Sequence, residues 1–328
     1  MGGFWENEPR IQNDLTIVSS LIDNAIEHAH PFVKGLLTSQ LETRGKLLRP
    51  ALVMIGARLG NQERKNEALR IASVLEMIHM ASLIHDDIID NAGTRRGVPT
   101  LHARVGAKQA VLAGDYLLSR AMSLIGGEEG DLEASAVANA FSRLCESELE
   151  QDAGYGDFSI STVTYLRRIA GKTASLFALS AYAGAAVTQA PVCLQRRLHR
   201  IGYNMGMAFQ IQDDILDYNG NPDKLGKETG RDLSSGIPTL PLLEALANER
   251  SLAVEQRALH TLIHKQKLTN RNISRAITLT RDLQGIEKAK ALSNSYAKRA
   301  HRDIQELGNE EVSYLLLDMF NRLSKRTT

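Results

Sequence analysis

Two short stretches of the sequence carry the same arrangement of acidic residues. SLIHDDIID (82–90) and FQIQDDILD (209–217) each contain two adjacent aspartates and a third three residues later. On an α-helix, residues four positions apart share a face, so the first and third aspartates of each stretch would lie side by side. One such stretch alone could equally be a solvated acidic face. Two copies, both flanked by apolar residues, indicate that cations offset the charge.

The type of ligand limits the choice of cation. Asp86 with Asp90, and Asp213 with Asp217, offer carboxylate oxygens without histidine or cysteine partners. Such oxygens suit Mg²⁺ or Mn²⁺ better than zinc. Mg²⁺ usually takes one or two protein carboxylates and keeps its other positions for water and phosphate. Several such ions around a polyphosphate would favour the departure of diphosphate, because they stabilise negative charge on the leaving group.

Six basic residues stand in short motifs that could bind phosphate: Lys46, Arg49, Arg95, Arg96, Lys172 and Lys227. Arg95 and Arg96 follow the first aspartate stretch in a predicted loop, where planar guanidinium groups can bind phosphate oxygens in pairs. Each of the six is a weak signal by itself, since most surface cations are simply solvated. The GKT sequence at 171–173 is not a P-loop, because the sequence before it contains neither a glycine-rich run nor a strand pattern.

Apolar residues recur at spacings of three and four through most of the chain, which predicts helices. The clearest such segments are 67–87, 110–125, 162–187 and 198–218. Loops are predicted where Gly, Asn and Pro gather, at 91–100, 125–131, 189–191 and 219–241. The sequence contains no series of short alternating runs typical of strands. We therefore predict an all-α protein with a single domain spanning residues 1–328.

Composition excludes several classes of protein. With 39 Lys+Arg against 38 Asp+Glu, the net charge is +1, so the overall charge does not point to nucleic acid as a partner. Cys145 and Cys193 lie far apart, and we predict half-buried structural thiols in a reducing cytoplasm. The N-terminal MGGFWENEPR lacks the features of a signal peptide, and the longest apolar runs, such as 178–187, are too short for a membrane span. We expect a cytoplasmic protein without a transmembrane segment.

The motifs and their order resemble those of the all-trans polyprenyl (isoprenyl) diphosphate synthases. The shared motifs are GKLLRP (45–50), DDIIDNAGTRRG (86–97), GDYLL (114–118), GKTA (171–174), QIQDDILD (210–217) and GKETGRDL (226–233). This resemblance implies an isoprenoid-synthase-type helical bundle around a central active-site cavity, usually dimeric. It also implies several Mg²⁺ ions that bind an allylic diphosphate between two aspartate-rich helices. Ionisation would give a carbocation that alkylates isopentenyl diphosphate, and loss of a proton would complete each addition.

The resemblance also assigns roles to individual residues. The metal ligands it implies are Asp86, Asp90, Asp213 and Asp217. The first three of these, together with Lys172, are the expected catalytic residues. The residues that resemble the allylic diphosphate site are Arg95, Lys172, Thr173, Gln210 and Lys227. The residues that resemble the isopentenyl diphosphate site are Lys46, Arg49, His79 and Arg96.

Three positions depart from the family pattern. Arg44 and Leu47 stand in RGKLLRP where the family commonly has a glycine and a basic residue. Ile237 stands in GIPTLP where lysine is frequent, which removes one diphosphate contact from that loop.

Product length is expected to depend on residues just before the first aspartate stretch. Ala81 and Ser82 stand where short-chain members of the family tend to carry bulky aromatic residues that close the pocket. Each helical turn adds ~5.4 Å of groove, on the order of one isoprene unit. Small residues here therefore predict a long-chain all-trans polyprenyl diphosphate, a precursor of quinone side chains.

Other functions fit parts of the pattern. A shorter-chain farnesyl or geranylgeranyl diphosphate synthase would share both motifs. A class I terpene cyclase also uses DDxxD and Mg²⁺, but its second metal motif is normally a mixed Asn/Ser/Glu set. An HD-type phosphohydrolase, suggested by His85 and Asp86, would need further histidine ligands. We expect a homodimer, or a heteromer with a small regulatory subunit in which this chain, having both aspartate motifs, is the catalytic subunit.

Overall fold

The computed structural model of the protein describes residues 4–41, 45–95, 97–125, 131–219, 229–264 and 268–324. Arg96 and Lys227, two predicted phosphate-binding residues, lie outside these ranges. The described residues are almost entirely helical, and their one sheet is an antiparallel ribbon of β1 (Thr94–Arg95) and β2 (Val98–Pro99). The predicted all-α class is therefore confirmed.

Helices follow one another through the described ranges. The first seven are α1 (Pro9–Glu27), α2 (Pro31–Leu41), α3 (Leu48–Ala57), α4 (Lys65–Ile89), α5 (Leu101–Val105), α6 (Ala107–Ile125) and α7 (Asp131–Ala153). The next four are α8 (Thr162–Ile169), α9 (Ser175–Val187), α10 (Val192–Asn219) and α11 (Arg231–Ser234). The last five are α12 (Leu240–Glu249), α13 (Ala258–Ile263), α14 (Asn270–Asp282), α15 (Gly285–Gln305) and α16 (Glu310–Ser324). Short 3₁₀ turns occur at Gln62–Arg64 and Val254–Gln256.

The chain forms two compact units. The first unit comprises Met1–Phe141, Leu179–His199 and Asn309–Val312. The second unit comprises Ser142–Ala178, Arg200–Gly308 and Ser313–Thr328. The first aspartate stretch belongs to the first unit and the second stretch to the second unit. A single domain over the whole chain stays a prediction.

Within the first unit, α4 is a core helix that packs against α1, α3 and α6. Its residues at the helical spacing, Ile71, Val74, Leu75, Ile78 and Ser82, are all buried. Residues on its other faces are buried as well, so α4 is surrounded by its neighbours rather than lying with one apolar stripe on a core.

The stretch Gln62–Ile89 is long and apolar enough to cross a membrane by length and composition alone, which we did not expect from the sequence. Its most apolar window is 78% buried inside the chain. The core helix of a folded domain passes the same test, so this one stretch is weak evidence for a membrane span.

Within the second unit, the helix widens between α8 and α9 into a π-helical turn, Ala170–Ala174. Gly171 lies so close to α7 that an added Cβ would stand 1.6 Å from Ser147 Oγ. π turns of this kind are frequent at functional sites. This turn carries Lys172 and Thr173, which the sequence predicted to lie in a regular helix.

Two predicted loops contain regular structure. The ribbon occupies part of 91–100, and α11 occupies part of 219–241. Helix α11 begins where the Asp217 carboxylate accepts the backbone N–H of Arg231, 14 residues away, a contact that local spacing does not reveal. Cys145 is half-buried as predicted, whereas Cys193 is exposed, because it lies in the solvent-facing first turn of α10.

Candidate active site

The first acidic cluster lies at the C-terminal end of α4. Asp86 is half-buried in the last turn, and Asp90 is exposed at the C-terminal cap, where its N–H donates to the Asp86 carbonyl at 2.8 Å. These two predicted metal ligands are therefore one helical turn apart. Carboxylates at the negative end of a helix dipole are disfavoured, so this position favours a bound cation.

Asp87, between them, has a different environment. Its side chain is buried, and Oδ1 accepts a hydrogen bond from Arg95 Nε at 2.7 Å. Burial raises the pKa of Asp87, and the charge of Arg95 opposes that rise. Because Arg95 belongs to β1, the ribbon and Asp87 together direct the guanidinium that was predicted to bind the allylic diphosphate. That role of Arg95 stays a prediction.

The GDYLL motif on α6 is explained by its contact with His85. An added Cβ at Gly114 would stand 2.3 Å from His85 Nε2, so glycine lets the imidazole lie against α6. The same nitrogen lies 3.4 Å from Asp115 Oδ1. Gly114 and Asp115 therefore fix the residue that immediately precedes the first acidic cluster.

The second acidic cluster lies in the last turns of α10. Asp213 is exposed, Asp217 is half-buried and Asp214 is buried. As in the first cluster, the middle aspartate is buried and the outer two are exposed or half-buried.

Both carboxylate oxygens of Asp214 accept hydrogen bonds. Tyr165 Oη donates to Oδ2 at 2.6 Å, and Gln210 Nε2 donates to Oδ1 at 2.9 Å. Thr173 Oγ1 in turn donates to Gln210 Oε1 at 2.8 Å. Two predicted diphosphate-binding residues, Thr173 and Gln210, are thus joined to the buried aspartate in one network.

The electrostatics of this network follow from its burial. Burial raises the pKa of Asp214 to about 7, although the bonds from Tyr165 and Gln210 oppose the rise. Burial and the neighbouring Asp214 raise the pKa of Tyr165 well above its ordinary value. The phenol therefore remains a donor across the neutral range.

Asp217 has a second contact besides its predicted metal role. Its carboxylate accepts the backbone N–H groups of Arg231 and Asp232, each at 3.1 Å. Burial raises the pKa of Asp217, and these bonds oppose the rise. Burial, then the charges of Asp214 and Asp217, raise the pKa of Asp232 well above its ordinary value. Asp232 is therefore a further acidic member of the cluster, which the aspartate spacing did not identify.

Lys172 pairs with a residue that the sequence analysis missed. Its Nζ lies 2.8 Å from Oε1 of Glu148 on α7. The Lys172 charge also lowers the pKa of Asp232, which places the ammonium within electrostatic reach of the second cluster. The structure thus pairs this predicted catalytic cation with Glu148 in the second unit, which also contains the second acidic cluster. Its catalytic role stays a prediction.

The residues predicted for isopentenyl diphosphate that the structure describes belong to the first unit. Lys46 precedes α3 in a segment without regular secondary structure, Arg49 lies in the first turn of α3, and His79 is half-buried in α4. Leu47 adopts a left-handed φ of 50° at the N-terminal cap of α3, so the backbone turns sharply between the two basic residues. Their shared role stays a prediction.

The predicted chain-length residues lie on the buried part of α4. Ala81 is fully buried, and Ser82 is 6% exposed with its Oγ donating to the His79 carbonyl at 2.8 Å. Both side chains are small, and the Ser82 hydroxyl has a hydrogen-bond partner. Their effect on product length stays a prediction.

The donor set is suited to Mg²⁺. Among the described residues, no three His, Cys, Asp or Glu side chains form a closed metal cage. Mg²⁺ does not need one, because it usually binds one or two carboxylates together with water and substrate phosphate. Burial and mutual repulsion raise the pKa values of Asp214 and Asp232, which indicates surplus negative charge that a divalent cation would offset.

Comparison with known proteins agrees with these features. Residues 30–280 match the family model described as polyprenyl synthetase. Heptaprenyl diphosphate synthase component 2 of Geobacillus stearothermophilus is 35% identical over 317 residues, which cover 96% of this chain and 97% of that protein. The crystal structure of heptaprenyl diphosphate synthase from Staphylococcus aureus matches with a TM-score of 0.88 at 30% identity, over 97% of this chain and 99% of that one. Geranylgeranyl pyrophosphate synthase from Lactobacillus brevis matches with a TM-score of 0.88 at 31% identity, over 98% and 99%.

The fold is the all-α fold of the isoprenyl diphosphate synthases, and the enzyme class is that of the prenyltransferases. The chain belongs to the polyprenyl synthetase family. The predicted family, fold and enzyme class are confirmed.

Proposed function

We propose that the chain is a Mg²⁺-dependent prenyltransferase that extends an allylic diphosphate by successive head-to-tail condensation with isopentenyl diphosphate. Its product is a long-chain all-trans polyprenyl diphosphate. The observation that carries this proposal is the repeated acidic cluster, in which each copy buries the middle aspartate and leaves the outer two exposed or half-buried. The heptaprenyl synthases among the relatives support the same reaction.

The outer aspartates are the proposed metal ligands: Asp86 and Asp90 on α4, and Asp213 and Asp217 on α10. When bound, Mg²⁺, or Mn²⁺ in its place, supplies positive charge that stabilises the departing diphosphate. The chain's own contribution is to present two carboxylates one helical turn apart on each helix. Several ions are expected, because each cluster offers its own pair.

The proposed allylic diphosphate ligands are Arg95, Lys172, Thr173, Gln210 and Lys227. Three of them already have partners that fix their direction: Asp87 holds Arg95, Glu148 holds Lys172, and Asp214 holds Gln210. Long side chains lose rotamer freedom when they bind a ligand. Side chains that are held beforehand lose less, which favours tight and well-oriented binding of the leaving group.

The proposed isopentenyl diphosphate ligands are Lys46, Arg49, His79 and Arg96. Their basic character suits a second diphosphate, which a terpene cyclase does not need. This second set, together with membership of the polyprenyl synthetase family, favours the synthase over the cyclase.

A long product is proposed because Ala81 and Ser82 are small. A shorter product, such as geranylgeranyl diphosphate, is the second candidate. It is supported by the Lactobacillus brevis enzyme, whose TM-score of 0.88 equals that of the Staphylococcus aureus heptaprenyl enzyme.

The proposed assembly is a homodimer, or a heteromer with a small regulatory subunit in which this chain is catalytic. The heteromer is supported by the Geobacillus stearothermophilus relative, which is named as component 2 of its synthase. A cytoplasmic location is proposed, and the burial of most of the apolar stretch Gln62–Ile89 supports it.

The proposal is tested by incubating the purified chain with Mg²⁺, isopentenyl diphosphate and allylic primers of several lengths. Chromatography with mass spectrometry then gives the product length. We expect elongation past fifteen carbons, abolished by EDTA and restored by Mg²⁺. Ser82→Phe should shorten the product, whereas Ser274→Phe, at an exposed position of α14, should leave it unchanged. No isopentenyl incorporation, alone or with co-expressed candidate subunits, would contradict the proposed function.

A further inference from the structure

The turn that precedes α1 is packed against the first unit. Residues 4–7 form this turn, and the rings of Phe4 and Trp5 meet edge to face with centroids 4.9 Å apart. Trp5 is buried, at 6% exposure, and its carbonyl accepts the N–H of Glu8 at 2.9 Å, next to the start of α1. The turn therefore has a defined position on the folded chain.

Two contacts of different kinds join this turn to Lys46. Trp5 Nε1 donates to the Lys46 carbonyl at 2.7 Å, across 41 residues of sequence. The Lys46 ammonium lies 4.2 Å from the centroid of the Phe4 ring, which is a cation–π geometry. The turn thus contacts both the backbone and the charged end of the same lysine.

Lys46 depends on tertiary contacts for its position. Residues 45–47 have no regular secondary structure, and α3 begins only at Leu48, so helical hydrogen bonds do not fix the backbone of Lys46. Its side chain has four rotatable carbon–carbon bonds, so ordering it costs conformational entropy.

We propose that Phe4 and Trp5 are positioning residues for the isopentenyl diphosphate site. The inference rests on the proposed function, in which Lys46 binds that diphosphate. An ammonium group has three N–H donors, and the face of a ring occupies only part of its surroundings, so contact with Phe4 is compatible with donation to phosphate oxygens. Because Phe4 already orders the ammonium, less entropy is lost when the diphosphate binds. The indole of Trp5 holds the Lys46 backbone in place through its hydrogen bond to the Lys46 carbonyl.

Steady-state kinetics of three variants test the role of Phe4. Phe4→Leu removes the π face and keeps an apolar side chain, so KM for isopentenyl diphosphate should rise about three- to tenfold. The KM for the allylic diphosphate and kcat should stay unchanged. Phe4→Tyr keeps the ring and should restore the wild-type KM. Phe32→Leu, at an aromatic residue that is 56% exposed on α2, should have no effect.

An unchanged KM for isopentenyl diphosphate in Phe4→Leu would overturn the inference. An equal rise of both KM values would also overturn it, because that result is expected from a general loss of structure. Trp5→Phe, which keeps a ring but loses the indole N–H, should raise the same KM selectively and so provides an independent variant.

Fluorescence tests the same contact without turnover. Trp5 is the single tryptophan in the chain, so its emission reports on this turn alone. Isopentenyl diphosphate should change the emission of the wild-type chain at a concentration that is about three- to tenfold higher in Phe4→Leu. An unchanged emission with saturating isopentenyl diphosphate, measured on a chain that incorporates it, would overturn the inference and leave the proposed function standing. Absence of incorporation by the wild-type chain would instead overturn the proposed function, whatever the emission shows.

Discussion

The two acidic clusters bury the same position of their motif but give it different partners. On α4, Asp87 accepts a hydrogen bond from a cation, Arg95 Nε, at 2.7 Å. On α10, Asp214 accepts hydrogen bonds from neutral donors, Tyr165 Oη at 2.6 Å and Gln210 Nε2 at 2.9 Å. Burial raises the pKa of both carboxyl groups. The charge of Arg95 opposes this rise at Asp87, whereas the pKa of Asp214 is raised to about 7.

Within each cluster, the middle aspartate and the outer aspartates have different tasks. The middle aspartate in each cluster is an internal acceptor that directs residues predicted to bind substrate: Arg95 in the first case and Gln210 in the second. The outer aspartates are exposed or half-buried and are the proposed metal ligands. A neighbouring cation favours the ionised form of a buried carboxyl group, whereas a buried carboxyl group beside neutral donors, such as Asp214 with its pKa of about 7, can take up a proton near neutral pH. The second cluster should therefore be the more sensitive to pH.

The largest effect is expected from the outer aspartates. Asp86→Asn and Asp213→Asn should each lower kcat by about 100- to 1,000-fold, because each removes a carboxylate proposed to hold the Mg²⁺ that would stabilise the departing diphosphate. Asp213 is exposed, so its loss should leave the free energy of unfolding within about 0.5 kcal/mol of wild type. Initial rates of isopentenyl incorporation measure the first effect and urea denaturation measures the second. Asp282→Asn, an exposed aspartate of α14, is the control and should change neither.

The second-largest effect is expected when stability is measured against pH, which distinguishes the two clusters. The folded-state pKa of Asp214 is about 7, above its ordinary value of 3.8, so the folded chain binds this proton more tightly than the unfolded chain. The resulting stability is fully present below the unfolded pKa and is lost as the pH rises through 7. We expect a loss of up to about 4 kcal/mol in the metal-free wild type relative to Asp214→Asn, which has no proton to lose. Parallel stability curves for the two chains in EDTA between pH 4 and 8 would show that Asp214 does not titrate there.

Removing one neutral donor should have a smaller effect. Tyr165→Phe leaves Oδ2 of the buried Asp214 without its phenol partner and should lower the free energy of unfolding by about 1–3 kcal/mol. The Asp214 pKa should also rise further, because the tyrosine bond lowers it. Tyr155→Phe, at a tyrosine that is 68% exposed, is the matched control in the same denaturation experiment. Equal stabilities of the two variants would contradict a role for the Tyr165 hydroxyl.

The smallest effect is expected at the cationic partner in the first cluster. Arg95→Gln should lower the free energy of unfolding by about 1 kcal/mol, since the Arg95 side chain is 38% exposed and its charge is partly screened. High salt should reduce the difference further. Arg70→Gln, on the exposed face of α4, controls for loss of a surface charge. A destabilisation as large as that of Tyr165→Phe would remove the distinction between the two clusters.

Sequence patterns predicted the parts of the fold that depend on residues close together in the sequence. The apolar spacing identified α4 and α10, and the paired aspartates followed from residues within one helical turn of each other. The motifs also identified the family, and with it Lys172, Thr173 and Gln210 as predicted ligands of the allylic diphosphate, of which Thr173 and Gln210 belong to the network around Asp214.

The rest of the site depends on contacts between distant segments. Tyr165 and Asp214 lie on different helices, as do Glu148 and Lys172, and no local period reveals such pairs. The middle aspartates look the same as the outer ones in the sequence, and only packing shows that they are turned inward. Trp5 gave no signal, because its partner Lys46 is 41 residues away.

The division of work between outer and middle aspartates is tested most directly by the kcat values of Asp213→Asn and Asp214→Asn, measured side by side with saturating Mg²⁺ and both substrates. Asp214→Asn keeps an isosteric acceptor for Tyr165 and leaves the proposed metal ligands in place. Its kcat should therefore exceed that of Asp213→Asn by at least about tenfold. Equal losses of kcat in the two variants, or a greater loss in Asp214→Asn when both are equally folded, would contradict the account.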